Sequence, residues 1–228
     1  MIEIAHNYSL QSLNTFGISS LAKHYIAFKT IEDITTFCTS VHVAQNHRYT
    51  LGYGSNTLFL GNFSGYVLHI QLTGIEIIKE TIHYVWVKAA AGVNWHKLVE
   101  FCLSNGYGGI ENLSLIPGSV GAAPIQNIGA YGVALQDSVD RVEAIEWSTG
   151  KKRIFTPSEC EFGYRTSIFK TTLRNQYVIT AIVLKLHKIN FFSTSYGELE
   201  ETLAQMKVKE LSFKAIAKQI VGTISSLP

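Results

Sequence analysis

Apolar positions along this chain follow two periods. From Thr30 they recur at helical spacing, with Ile31, Ile34, Phe37 and Cys38 on one face, and Thr30 with Asp33 three residues later has the form of a capping box. This helix is expected to lay its apolar face on a sheet. The same period returns over 94–106, where Asn94 can cap, Trp95, Leu98, Val99, Cys102 and Leu103 form the apolar side, and Gly106 ends the helix. Elsewhere the apolar residues gather in short runs between glycine and polar turns, which predicts strands. These are HRYTL, the short piece 57–60, GYVLHI, YVWVKAA, RVEAIEW and QYVITAIVLKL, so sheet is spread along most of the chain. Residues 14–17 have turn composition, as do 148–150. Past His187 the pattern becomes helical again in SYGELEETLAQM and LSFKAIAKQIV.

One stretch follows neither period. In IPGSVGAAPIQNIGAYG, residues 116–132, glycine and alanine fill most positions where a side chain would obstruct. Gly118, Gly121, Gly129 and Gly132 can adopt angles closed to other residues, and with Ala122, Ala123 and Ala130 they would let an anionic ligand lie on peptide N–H groups. Gln126 and Asn127 add amide groups and Tyr131 a flat face, so the stretch could hold a pyrophosphate at one end and a ring at the other. A long surface loop built of turn residues is the plainer alternative. A second glycine loop, GYGSN at 52–56, follows a strand. It is not a dinucleotide fingerprint, because the third glycine of G-x-G-x-x-G is absent and 57–60 reads as strand, not helix. A different phosphate loop and a plain hairpin turn both remain open there.

Composition narrows the function. With 228 residues, 46% hydrophobic and 16% charged, the chain can bury one large core or two small ones. A formal net charge of +2, with no basic run interleaved with aromatics, gives no argument for nucleic acid. No apolar run reaches the length of a membrane span and MIEIAHNYSL lacks the regions of a secretory signal, so a cytoplasmic protein with no membrane partner is expected. Cys38, Cys102 and Cys160 are odd in number and far apart, which argues against a disulfide framework or structural zinc. The eight histidines show no ligand spacing, and no metal is expected.

In this order the motifs resemble the UDP-N-acetylenolpyruvoylglucosamine reductase (MurB) family, flavoenzymes of peptidoglycan precursor synthesis. The resemblance rests on NTFG at 14–17, LGYGSN at 51–56, the segment 92–95, ENL running into the 116–132 stretch, FGYR at 162–165 and SYGEL at 195–199. It implies an α+β fold: a two-part FAD-binding domain of the vanillyl-alcohol-oxidase (PCMH) type over 13–187, with a short helical C-terminal segment. The small α/β piece would span 1–70 and the larger, antiparallel-rich piece 71–187, with 188–228 beginning a truncated substrate domain. FAD would lie between the pieces. Its binding residues would be Gly52, Gly54, Ser55, Asn56 and Thr57 from the first loop, and Ile116, Pro117, Gly118, Ser119, Gly121 and Ala122 from the second. Gln126, Asn127, Ile128, Gly129 and Ala130 would line the ring side. The family reduces its flavin with NADPH and passes hydride to the enolpyruvyl double bond of a UDP-sugar. Arg165 stands at the family's catalytic arginine, and Tyr164 and Tyr196 stand at substrate-binding positions. On its own pattern, between Tyr164 and Thr166, Arg165 reads sooner as a solvated strand-end residue than as a catalytic one.

The chain also departs from the family. Members continue into a third domain carrying a serine proton donor and a glutamate, and this sequence ends at Pro228. Thr223 and Ser226 stand where an arginine and a lysine are usual, Ala134 replaces a glutamate and Thr166 an aspartate. Three functions fit: the NADPH-dependent, FAD-containing oxidoreductase represented by its FAD-binding part, a related flavoenzyme with another substrate, and a non-catalytic flavin-binding module. As this 228-residue chain, turnover is expected to be impaired.

Overall fold

A computed structural model describes residues 2–40, 47–188, 213, 216–218, 220 and 221. Two sheets follow one another along the chain. The first is ordered β1-β2-β4-β3, from β1 (Ala5–Ser9), β2 (Leu21–Phe28), β3 (Arg48–Leu51) and β4 (Phe63–Ile70). Its β2, β4 and β3 run parallel, and β1 is antiparallel to β2. Central β4 is buried over Gly65–Leu68, as a parallel strand covered on both sides should be. Helix α1 (Ile31–Thr39) buries Ile34, Phe37 and Cys38. Its capping box forms as expected: Asp33 N–H donates to Thr30 Oγ1 at 3.1 Å and Thr30 N–H to Asp33 Oδ2 at 2.9 Å.

The second sheet is antiparallel throughout, ordered β10-β9-β11-β6-β5. It comprises β5 (Ile75–Glu80), β6 (Tyr84–Ala90), β9 (Val139–Glu146), β10 (Lys152–Phe155) and β11 (Tyr177–His187). Central β11 is buried without interruption from Val178 to Leu184. One face packs on α2 (Trp95–Ser104), whose Trp95, Leu98, Val99 and Cys102 enter the main core. Asn94 Oδ1 accepts from Lys97 N–H at 3.1 Å, and Gly106 closes the helix at φ 74°. Toward the first sheet, Trp147, Ile145, Val178 and Ala91 share a second core with Phe28, Phe37, Leu68 and Ile70. The ring of Trp147 lies 6.1 Å from Phe37 and 6.3 Å from Phe28. This apolar joint fixes the two sheets against each other, and so fixes the loops at its edge.

The sequence pattern errs at 57–60, which is not a strand. Of its apolar side chains only Phe59 turns inward, while Leu58 and Leu60 are 56% and 92% exposed, and the stretch joins no ladder as it carries the chain from β3 back to parallel β4. Strands β1, β5 and β10 escape the pattern because they are edge strands with nearly every side chain exposed, so period-2 alternation is missing. Of the helical expectation past His187, SYGELEETLAQM lies outside the described residues. Phe213, Ile216, Ala217 and Ile220 are helical and buried, and the ring of Phe213 occupies the space a Cβ at Gly108 would need. Cys38, Cys102 and Cys160 are buried free thiols, pushed up by burial to about 11, 12 and 12, far from the thiolate form at neutral pH.

Candidate functional site

The site begins where β3 ends. Beyond Leu51 the chain turns through Gly52 and Gly54, and Gly54 takes φ 65° with the backbone carbonyl of Leu13 where a Cβ would sit. Glycine is therefore required there on two counts. The loop is tied by Thr15 N–H to the Gly54 carbonyl at 3.3 Å and by the hydroxyls of Tyr49 and Thr57 at 2.7 Å.

The facing loop belongs to the second piece and is clamped to the N-terminus of α2. Trp95 N–H donates to the Gly118 carbonyl at 3.0 Å, Val120 N–H to Val93 at 2.8 Å and Gly121 N–H to Ala91 at 2.9 Å. Indole Nε1 of buried Trp95 donates to the Leu113 carbonyl at 2.8 Å. The stretch 116–132 is thus no loose loop: it holds a 3₁₀ helix over Val120–Ile125, then β7 (Gly129–Ala130), which forms a hairpin with β8 (Val133–Ala134) just beyond it. The hairpin's turn residues, Tyr131 and Gly132, both have positive φ, as a type I′ turn demands.

Between the two loops lies a cavity of about 230 Å³. Gly52, Gly54, Ser55, Asn56, Thr57, Ile116, Pro117, Gly118, Ser119, Ala122, Gln126 and Ile128 all line it, so the structure gathers these expected residues around one space. Gly118, at φ 125°, would place a Cβ 3.2 Å from Ser55 Oγ, across the gap between the loops. A second cavity of about 430 Å³ shares Gly52, Ser119, Ala122 and Ile125 with the first and runs between the pieces to Phe169, Tyr177 and Ile179. Among the described residues no carboxylate lines either cavity, and Lys170 and Arg174 line the second. The combined space suits an elongated anion with an aromatic end.

Two expected roles change. Gly121 lines only the second of these cavities, and its missing Cβ would lie 2.6 Å from Ala91 Cβ and 3.2 Å from the Ala91 carbonyl oxygen. Its smallness serves close packing of the 3₁₀ helix on the strand end, not space for a phosphate. Gly121 and Gly129 also lack the positive φ that their glycine identity suggested, whereas Gly118 and Gly132 have it. Asn127 is buried, and its side chain is engaged with Gln136 and Gly163.

Asn127, Gly129 and Ala130 line a third cavity, of about 560 Å³, whose opposite wall carries Tyr164 and Arg165. Both of those side chains are exposed, Tyr164 at 93%, and the guanidinium carbon of Arg165 lies 5.9 Å from the Tyr164 ring centroid. Arg165 has φ 54°, an angle costly for a residue with a Cβ, and strain of this kind concentrates at functional positions. Tyr196, Thr223 and Ser226 lie outside the described residues.

Sequence reasoning overlooked Phe169, Tyr177 and Ile179, which are far from both glycine loops in sequence. It gave no role to Glu111 of the ENL motif, which is buried in a 3₁₀ turn (Glu111–Leu113), where Oε2 accepts from Gly109 N–H at 2.6 Å. Burial raises the Glu111 carboxyl above the usual range despite hydrogen bonds from backbone N–H groups that lower it. A raised folded value means that the stabilisation is present below the ordinary glutamate value of about 4.3 and is lost as pH rises through the folded value. Glu111→Gln should therefore flatten the fall of the urea midpoint between about pH 4.3 and the folded value; an unchanged slope there would show that Glu111 does not carry it.

A family model described as FAD binding domain matches residues 22–155, more than half of the chain. UDP-N-acetylenolpyruvoylglucosamine reductase of Amoebophilus asiaticus is 46% identical over 220 residues, covering 96% of this chain and 65% of its own length. The reductase of Flavobacterium johnsoniae is 42% identical over 225 residues, covering 97% and 65%. The chain thus spans 65% of the length of these relatives. Among solved structures, the reductase of Thermus caldophilus superposes over the whole chain and 71% of its own, with TM-score 0.67 at 23% identity. A solvent-stable cholesterol oxidase superposes over 82% of the chain and 38% of its own, with TM-score 0.59 at 14% identity, so the fold is the α+β architecture of PCMH-type flavoproteins. The chain belongs to the FAD binding domain family, and the relatives it is similar to there are UDP-N-acetylenolpyruvoylglucosamine reductases.

Proposed function

We propose that this chain binds FAD between its two pieces and is the FAD-binding part of a UDP-N-acetylenolpyruvoylglucosamine reductase, working in the cytoplasm with NADPH as reductant and a UDP-sugar as substrate. The observation that carries the reading is the glycine-walled groove, with no carboxylate among the described residues that line it, open between loops of different pieces and sharing its wall with a cavity bearing Lys170 and Arg174. The fit is specific at Gly118, where a Cβ would enter the gap between the loops. The pyrophosphate would be held by 54–56 and by Gly118 and Ser119, and the adenosine end by the cavity of Ile179, Phe169 and Tyr177. Ile116, Gln126, Ile128, Gly129 and Ala130 would line the ring side.

When bound, FAD supplies hydride transfer. The two glycine loops would orient it and shield its pyrophosphate from water, and Arg165, which lines a cavity with Gly129 and Ala130, would stand on its ring side. A permanently charged, planar guanidinium there is suited to stabilise negative charge developing on an enolpyruvyl substrate. In this reading the small piece is 1–70, the larger piece 71–187, and 188–228 leads into the substrate domain.

The test is the identity of the cofactor. Purified or reconstituted protein should be yellow and release FAD on denaturation. FMN has no pyrophosphate for two opposed loops to hold, so recovery of FMN, or of no flavin after reconstitution, would defeat the proposal.

A further inference from the structure

Asn127 stands in the middle of the cradle, between Gln126 and Ile128, yet its side chain does not face the groove. It is 4% exposed and lies at φ 46°. Its Nδ2 donates to Gln136 Oε1 at 2.8 Å and to the Gly163 carbonyl at 3.0 Å, and its Oδ1 accepts from Gln136 N–H at 3.0 Å. A backbone carbonyl can only accept and a backbone N–H can only donate, so these partners fix the amide's orientation.

Gly163 opens the turn that carries Arg165. Gly163 N–H donates to the Thr166 carbonyl at 3.1 Å and Thr166 N–H to the Gly163 carbonyl at 3.3 Å, leaving Tyr164 and Arg165 as a two-residue loop. One further bond steadies it, from Lys170 Nζ to the Arg165 carbonyl at 2.9 Å. The turn is exposed and strained at Arg165, so it needs an anchor, and the Gly163 carbonyl is where the cradle supplies one.

We propose that Asn127, backed by Gln136, is a positioning residue that couples the flavin cradle to the Arg165 turn, so that occupancy of the cradle stiffens the turn. The coupling rests on the reading above in taking FAD to occupy the cradle and Arg165 to work beside it; the clamp itself can be tested without cofactor.

Hydrogen exchange at Thr166 reads the turn. Asn127→Gly keeps the positive φ and removes the side chain, and in apo-protein it should speed Thr166 exchange about tenfold, the scale of one buried hydrogen bond, while amides of β9 and β11 are unchanged. Gln136 is exposed, so Gln136→Ala tests the clamp without threatening the fold, and it should move Thr166 in the same direction by less. In wild type, adding FAD should slow Thr166 further, and this response should be lost in Asn127→Gly. The potential of bound FAD should shift in the same direction in Gln136→Ala and Arg165→Ala, with the double variant no further displaced than Arg165→Ala alone. Unaltered Thr166 exchange in both clamp variants, or additive potential shifts, would overturn the proposal. Failure to bind FAD would sink the functional reading and leave the apo measurement to decide the clamp.

Discussion

Gly121→Leu is expected to destabilise the protein as much without FAD as with it. A leucine there must push its Cβ into a site 2.6 Å from Ala91 Cβ and 3.2 Å from Ala91 Cα. Ala91 is itself buried in the core that joins the two sheets, and Gly121 N–H bonds its carbonyl at 2.9 Å, so neither backbone can withdraw without breaking the joint. Overpacking of an ordinary core costs about 1 to 3 kcal/mol, and a clash with backbone belongs at or above the top of that range. For a chain of this size each kcal/mol lowers the midpoint by roughly 2 to 4 °C. Thermal unfolding of apo-protein checks the expectation. An apo midpoint equal to wild type, with flavin affinity alone reduced, would restore the idea that the missing Cβ leaves room for a phosphate.

Gly121 also shows how far the sequence could be read. Glycine and alanine density located the cradle, because small residues are needed wherever backbone approaches either a ligand or another backbone. The pattern cannot say which, and at Gly121 the neighbour is Ala91, thirty residues away in the chain. Helices α1 and α2 were legible to their caps, since Thr30, Asp33 and Asn94 act on backbone groups within three residues. Edge strands β5 and β10 were not, because a strand with most side chains in water carries no alternation. The wall of Phe169, Tyr177 and Ile179 was invisible for another reason: its residues are ordinary apolar ones whose meeting with Gly52 and Ser119 is decided by sheet packing. Asn127 was legible as important and misread in detail, since only the fold brings Gly163 within reach of its amide.

Arg165 is where stability and chemistry should separate most clearly. At φ 54° a side chain costs about 1 to 2 kcal/mol relative to the ordinary backbone regions, and glycine does not bear that cost. Glycine gives back about 0.4 to 1 kcal/mol through the freedom it adds to the unfolded chain, so Arg165→Gly should be neutral to stabilising by up to about 1.5 kcal/mol. Arg165→Ala keeps the strain and should not gain. Both remove the only guanidinium that lines the third cavity among the described residues, and on the proposed function both should slow substrate-dependent reoxidation of the reduced FAD. Loss of one preorganised donor in a water-excluded site costs about 2.7 to 4 kcal/mol, or 10² to 10³ in rate. Arg165 is exposed, so its charge is screened until a ligand covers it, which places the expected loss near the lower figure. Stopped-flow absorbance of the oxidised flavin gives the rate, and urea titration gives the stability. Slow reoxidation in Arg165→Gly together with undiminished stability would assign the strain to function; an unchanged rate in both variants would make Arg165 a turn residue only.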